Sequence, residues 1–366
     1  MIQKGLSTKA KTIIAVCCFV AIFVALVVVV SINSGALDLA ISEKVVDLEP
    51  GAYLTHNVFA FFIEACGETP IYLLAALCLA ILVWFFAKCC KFTPWDKILA
   101  VICGIGVVVA FWFYFKTIAG YVLDHVIGFG WEDAGADFYP YALTKGDVWS
   151  IRLLEVALAL VASPCLIFAF KSVKEETLYK LAKWVLAFVI ATIIANVLIE
   201  IIKRPVGRMR YRTMNFFGDN AHNGFTPWYV ANGKRYGPDE YKWLVDTHDM
   251  YKSFPSGHTC AAGTTYALMF LPIALGVKKK GIKALFIIAP ICWTGLVAIG
   301  RVVAGAHYVS DVLFGGTIAF VTNVIIHELI ICKSKHFKCF KKDFVDPNCA
   351  CEEKVELPEQ DAENIA

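Results

Sequence analysis

Long apolar runs separated by short polar stretches dominate the chain. The first extends from Thr12 to Ile32 behind Lys4, Lys9 and Lys11, and at about 20 residues it is long enough to cross a bilayer. That length predicts a membrane anchor rather than the shorter core of a cleaved signal peptide. Further runs cover Ile71 to Ala87, Ile98 to Phe115, Ile151 to Phe170, Leu181 to Ile202, Cys260 to Val277, Ala284 to Ile299, and Val309 to Cys332, which brings the predicted spans to eight. The pattern predicts an all-α fold, a polytopic transmembrane helical bundle. The span from Ile151 is the most polar, since it contains Arg152, Glu155 and Pro164. Its two charges are spaced to pair with each other or to reach the interface. Between Asn33 and Pro70 the chain is mixed and acidic, with Asp38, Glu43, Asp47, Glu49, Glu64 and Glu68 against Lys44. Within it, Phe59 to Ala65 is suited to lie along the membrane interface.

Composition agrees with the pattern: 58% of residues are hydrophobic and mean hydropathy is +0.64, far more apolar than a soluble domain. The net charge of +3 matters less than its distribution. Lys88, Lys91 and Lys97 share one short loop, Lys171, Lys174, Lys180 and Lys183 a second, and Lys278, Lys279, Lys280 and Lys283 a third. With eight spans, all three fall on the side of the N-terminus and of the Lys333 to Lys342 segment, which predicts that both termini are cytoplasmic. The loop from Gly120 to Ser150, with Asp124, Glu132, Asp133, Asp137 and Asp147, falls opposite. One stretch breaks the rule. Lys203 to His258 is predicted outside although it carries Lys203, Arg204, Arg208, Arg210, Arg212, Lys234, Arg235, Lys242 and Lys252. An anionic ligand accounts for such a cluster; translocation of long loops regardless of charge is the alternative.

The 14 cysteines lie almost entirely in apolar spans or on the predicted cytoplasmic side, with only Cys66 and Cys260 near the outer one, so no disulfide framework is expected. The segment from Lys333 holds His336, Cys339, Cys349 and Cys351 without a standard zinc spacing, then turns acidic and polar, which predicts a disordered tail.

Three polar clusters stand at the outer ends of spans. In the first, Lys203 and Arg210 lie on either side of a Gly-containing turn and are able to converge on one anion, Arg as a bidentate partner and Lys as a point charge. The second, Ser253 to Thr259, contains Pro255-Ser256-Gly257-His258 just before a span. A capping serine there opens a helix whose N–H groups favour phosphate oxygens, and Gly257 admits close approach. The third consists of Gly300-Arg301, His307 and Asp311. The last two are four residues apart on one helix face, where a carboxylate is placed to hold an imidazole tautomer. Each cluster alone has a plainer reading, as headgroup-facing basic residues, a simple helix cap, or a polar tie between helices.

Taken together, Lys-x6-Arg, Pro-Ser-Gly-His and Arg-x5-His-x3-Asp resemble the type 2 phosphatidic acid phosphatase family, whose relatives include glucose-6-phosphatase and vanadium haloperoxidases. The resemblance covers Leu181 to Cys332 and departs at Tyr211, where the family usually has proline, and at Gly300, where it usually has serine. It implies an N-terminal transmembrane region with outer loops over residues 1–180, a catalytic core over 181–332 and a cytoplasmic tail over 333–366. It also implies hydrolysis of a phosphomonoester or pyrophosphate with His307 as nucleophile, Asp311 orienting it and His258 as general acid and base. Lys203, Arg210, Ser256, Gly257 and Arg301 would hold the phosphate, with no metal and no cofactor required. An extracytoplasmic site at the membrane surface suits a phosphorylated lipid such as phosphatidic acid, phosphatidylglycerol phosphate or undecaprenyl pyrophosphate, and nothing points to nucleic acid. A soluble sugar phosphate is the enzymatic alternative. A non-enzymatic lipid-phosphate binder or transporter is the alternative of another class.

Overall fold

Helices carry the chain from one end of the bundle to the other in a computed structural model that describes residues 8–90, 94–126, 145–218, 224–239 and 247–332. Most of the acidic loop after Val126, parts of the Tyr211 to Lys252 segment and the cysteine-bearing tail lie outside the described residues. In order, the helices are α1 (Thr8–Val45), α2 (Val58–Cys66), α3 (Pro70–Cys89), α4 (Pro94–Val126), α5 (Lys145–Ala169), α6 (Glu175–Val206), α7 (Tyr211–Phe217), α8 (Gly257–Gly263), α9 (Leu271–Ala274), α10 (Lys280–Val303) and α11 (Val309–His327). Seven stretches of described helix are long and apolar enough to cross a membrane, and the chain is a multi-pass membrane protein.

The span expected at Cys260 to Val277 is not among those seven, because it is not one α-helix. It runs as α8, a 3-10 stretch Thr264–Phe270, and α9. Thr264 and Thr265 donate their hydroxyls to the carbonyls of Ala261 and Ala262, at 2.6 and 2.7 Å, three residues back where the tighter winding places them. The segment nonetheless traverses the bundle. α10 has 24 residues, a rise of about 36 Å, and ends beside the start of α8, so the chain between them must cover that distance in the opposite direction.

The core is built where α3, α6 and the 3-10 stretch meet. Leu74, Cys78 and Ile81 pack against Leu181, Trp184, Val185, Phe188 and Ala267, and the buried Trp184 indole donates to the Ala267 carbonyl at 2.8 Å. Ala76 and Ala80 of α3 let its backbone approach Val107 and Ala110 of α4, the small-residue seam that lipid-embedded helices use. Outward faces are apolar instead: Leu153 is 66% exposed and Val161 69%, as befits side chains that meet hydrocarbon. In α5 the Arg152 guanidinium lies 2.8 Å from Glu155, the pairing their spacing predicts.

Two elements near the N-terminus differ from the sequence pattern. α1 does not end at Ile32 but breaks through non-helical Ile32 to Gly35 and resumes, which carries Asp38 into the bundle. α2 does not merely lie along the interface. It exposes Val58, Phe59 and Phe62 and buries Ala60, Ile63 and Glu64, so an apolar run is amphipathic against its neighbours. At the far end of the bundle, Lys88 donates to the carbonyls of Lys171 and Val173, which brings the first two lysine-rich loops together.

Candidate active site

α6 delivers the first cluster. Lys203 and Arg204 occupy its last turn, where cations suit the negative end of the helix, and Pro205 and Gly207 end it. Gly207 has φ +52°, and a Cβ there would stand 1.9 Å from the Gly233 carbonyl oxygen, so glycine is required on both counts. The N–H groups of Asn232 and Gly233 donate to the carbonyls of Val206 and Pro205 at 3.0 and 2.9 Å, which satisfies acceptors the ending helix leaves open. Lys203 then reaches the second cluster: a Cβ on Gly257 would lie 3.2 Å from its Nζ.

Ser256 is the N-cap of α8, as its position predicts, and its Oγ accepts from the Thr259 N–H at 3.3 Å and shares a hydrogen bond with the Thr259 hydroxyl at 2.9 Å. The cap uses the Ser256 oxygen as an acceptor and so does not by itself consume the hydroxyl proton. The Gly257 N–H, in the first turn, has no intrahelical acceptor.

His307 sits fully buried between α10 and α11, and its Nδ1 lies 2.6 Å from the carbonyl oxygen of Ser253. A carbonyl only accepts, so Nδ1 carries the proton and Nε2 keeps its lone pair. The sequence spacing assigned that orienting role to Asp311, whose carboxylate instead stands 3.8 Å from Nδ1, beyond hydrogen-bond reach. Asp311 accepts from the Ser253 hydroxyl at 2.5 Å, the Tyr308 N–H at 2.9 Å and Arg208 at 2.6 Å. It thus fixes the start of α11 and the Ser253 segment against each other. Burial, followed by Arg210, Arg301 and Lys203, holds the His307 imidazole well below the ordinary histidine range, and so neutral.

The arginines divide into two groups. Arg208 is wholly buried and bridges Asp38 at 2.9 Å and Asp311 at 2.6 Å, donates to Ser310 at 2.8 Å and the Thr226 carbonyl at 2.8 Å, and lies 4.0 Å over the Tyr308 ring. Arg212 is held by Glu64 at 3.1 Å and lies over Tyr53. Arg210 is clamped by Asp249, through its carbonyl and its carboxylate, both at 2.8 Å. Burial would raise the Asp249 carboxyl, but Arg210 and Arg212 beside it keep it well below the usual carboxylate range. Arg301, 1% exposed, is paired through Nη1 with Glu64 at 2.8 Å, while its buried Nε has no hydrogen-bond partner among the described residues. An unspent donor in a buried cation cluster suits an arriving oxyanion.

His258 presents Nε2 to the Tyr121 hydroxyl at 2.8 Å and to Glu68 at 3.5 Å, and Tyr121 donates to Glu68 at 3.3 Å. Burial first, then Arg301, holds its imidazole well below the ordinary range, with His307 and Arg210 acting in the same direction.

All predicted site residues are thus brought to one end of the bundle. Sequence reasoning missed Ser253, Asp249, Arg208, Asp38, Glu64, Glu68 and Tyr121 as members of the site. The signal for the carboxylates was available, since acids next to or within membrane spans are costly unless paired. Ser253 gives its hydroxyl to Asp311 and its carbonyl to His307, and the carbonyl role leaves no side-chain signal.

Gly300 also acquires a reason. A Cβ there would lie 2.5 Å from Ile63, so its absence lets α2 approach α10 and place Glu64 against Arg301. Tyr211 is the first residue of α7, a helix position that proline also tolerates, and its ring packs edge-on to Tyr308 at 6.5 Å.

The fold and the site define a polytopic helical membrane protein with a buried cation cluster around two neutral histidines. Residues 184–331 match the model of the PAP2 superfamily. It is similar to a lipid A 1-phosphatase of Rhizobium etli, with 29% identity over 42% of this chain and 54% of the relative. A lipid phosphate phosphatase 1 of Arabidopsis thaliana is also 29% identical, over 49% of this chain and 53% of the relative. The chain spans about half the length of the curated relatives it matches. No solved structure matches it.

Proposed function

We propose that this chain is an integral membrane phosphatase that hydrolyses a lipid phosphomonoester or lipid pyrophosphate through a phosphohistidine, at an extracytoplasmic site. The observation that carries this reading is the pairing of His307 Nδ1 with the Ser253 carbonyl, which leaves Nε2 as a free nucleophile amid cations. Nε2 attacks phosphorus, an N–P bond forms, and the P–O bond to the leaving group breaks. Arg301, Arg210, Lys203 and the Gly257 N–H hold the remaining oxygens as negative charge shifts onto them. His258 gives its proton to the leaving oxygen. In the second half it takes a proton from water, the water oxygen attacks phosphorus, and the N–P bond breaks to return His307 and release phosphate.

Burial and the surrounding cations favour the neutral form of both histidines, which suits His307 but not a proton donor. The negative charge of a bound phosphate, set against the Arg301 effect, favours protonation of His258. A lipid substrate is supported by the membrane fold and by the names of the relatives. The test is phosphate release by the detergent-solubilised protein from a panel of lipid and sugar phosphates, with rapid acid-free quenching to trap the phosphoenzyme. His307→Ala is expected to lose both release and label. An active His307→Ala protein refutes the phosphohistidine, and binding without turnover by the unaltered protein indicates a carrier instead.

A further inference from the structure

The carboxylates gathered around the site hold arginines, with an exception among the described residues. Asp38 and Asp311 hold Arg208, Asp249 holds Arg210, and Glu64 lies between Arg212 at 3.1 Å and Arg301 at 2.8 Å. Glu68, in the turn between α2 and α3, is paired instead with His258, its carboxylate 3.5 Å from Nε2. The Tyr121 hydroxyl of α4 touches both, 2.8 Å from Nε2 and 3.3 Å from the other carboxylate oxygen. Glu68 and Tyr121 lie outside residues 184–331, the part that matches the superfamily model.

The chemistry of these side chains fixes where their hydrogens sit. A carboxylate only accepts, so Tyr121 gives its hydroxyl hydrogen to Glu68 and has to accept from His258. Nε2 therefore carries a hydrogen, and Nδ1, which has no hydrogen-bond partner among the described residues, is the nitrogen left to exchange a proton. The charges point the same way. Arg301, Arg210 and His307 all disfavour a charge on His258, and Lys203 reaches the adjacent Gly257. Glu64 acts in the opposite sense, but its charge is shared by two arginines. An imidazolium in this cation cluster needs a carboxylate of its own, and Glu68 is in place to supply it.

Resting on the phosphatase reading above, we infer that Glu68 is a positioning residue for the proton donor. Through its charge and through Tyr121 it holds the Nε2–H side of His258 and stabilises the imidazolium whose Nδ1 proton goes to the leaving oxygen. As the P–O bond breaks, that proton passes to the leaving oxygen and the N–H electron pair stays on Nδ1. Water returns a proton to the same nitrogen in the second half, and Nε2 keeps its hydrogen throughout.

The experiment compares the unaltered protein with Glu68→Gln and Glu68→Asp, in detergent, on an alkyl phosphate and an aryl phosphate. Glu68→Gln is expected to lose at least about tenfold in kcat on the alkyl phosphate and less than about threefold on the aryl phosphate, whose leaving group departs with little protonation. Its kcat should also decline on the alkaline side at a pH lower by about 1 or more, because an imidazolium without the carboxylate releases its proton more readily. Glu68→Asp, which keeps the charge, should restore most of that profile. Equal losses on both substrates with an unmoved pH profile would make Glu68 a structural support and overturn the inference. A second measurement does not depend on turnover. In protein carrying isotope-labelled histidine, the His258 nuclear magnetic resonance signal is identified as the one missing from His258→Ala. It is expected to report the Nε2–H tautomer in the free protein and, with inorganic phosphate bound, a protonation midpoint that Glu68→Gln lowers. An Nδ1–H tautomer, or a midpoint that Glu68→Gln leaves in place, overturns the inference even where the phosphatase reading stands. If the unaltered protein releases no phosphate from any ester, that reading fails while the histidine signal still decides the role of Glu68.

Discussion

His307 is oriented by the backbone carbonyl of Ser253, 2.6 Å from its Nδ1, while Asp311 on the next helical turn stands 3.8 Å away and binds Arg208 instead. The carboxylate is thereby a keystone of the fold around the nucleophile rather than its direct partner. Replacing Arg208 with alanine leaves Asp38 and Asp311 buried and uncompensated, and breaking a buried pair in this way costs about 3–5 kcal/mol. Thermal unfolding in detergent is expected to show that loss. Asp38→Asn, which keeps the shape and retains the Arg208–Asp311 contact, should be milder, and an Arg208→Ala protein as stable as the parent contradicts the role assigned to this node.

Protonation of the two site histidines should couple stability to pH. Both are held below their ordinary value when folded, by burial and then by Arg301 for His258 and by Arg210 for His307. The unfolded chain, with histidine near pH 6.5, therefore binds more protons in the interval below that value, so stability falls as pH drops through it. The melting temperature is expected to decline from pH 7.5 to 5.5. Phosphate or vanadate should reduce the decline by favouring a charged His258, and a double alanine substitution of the histidines should flatten it. A melting temperature that rises on acidification contradicts the sign.

Tyr121 is expected to position the proton donor. Its hydroxyl joins His258 to Glu68, so Tyr121→Phe removes both of these hydrogen bonds without removing the acid. A loss of about tenfold in kcat, or about 1.4 kcal/mol, is expected on alkyl phosphates. Aryl phosphates, whose leaving groups depart with little protonation, should be much less affected. Equal losses on both would make the contact merely structural.

At Gly300 the close approach of Ile63 predicts that the serine common in relatives of this type will not fit here. Gly300→Ser is expected to cost about 1–3 kcal/mol through overpacking and to reduce activity as α2 is pushed away. Adding Ile63→Ala should recover part of both, and a single substitution as stable and active as the parent removes the packing explanation.

Sidedness rests on the lysine-rich loops alone. A single cysteine replacing the exposed Tyr236 is expected to react with a membrane-impermeant maleimide in intact cells, and one replacing Gly281 only after permeabilisation. The reverse labelling would place the site in the cytoplasm.

The apolar runs determined that this chain crosses a membrane as helices, because their length has to match the hydrocarbon thickness and their backbone must be satisfied within each segment. Polar clusters at span ends drew attention to His258, His307, Lys203, Arg210 and Arg301, and the family resemblance of the three motifs together implied their roles. Tertiary structure decided what each partner does. Ser256 caps α8 through its oxygen, and Asp311 binds Arg208 rather than His307, because a short polar side chain takes the nearest satisfied geometry, which sequence distance does not reveal. The 3-10 winding after α8 likewise depends on where two threonine hydroxyls find acceptors. Asp38, Glu64, Glu68 and Tyr121 lie far in sequence from the motifs they support and reach them only through helix packing. No periodicity encodes which helix lies beside which. That is settled by small residues such as Gly300, whose missing Cβ lets α2 carry Glu64 to Arg301.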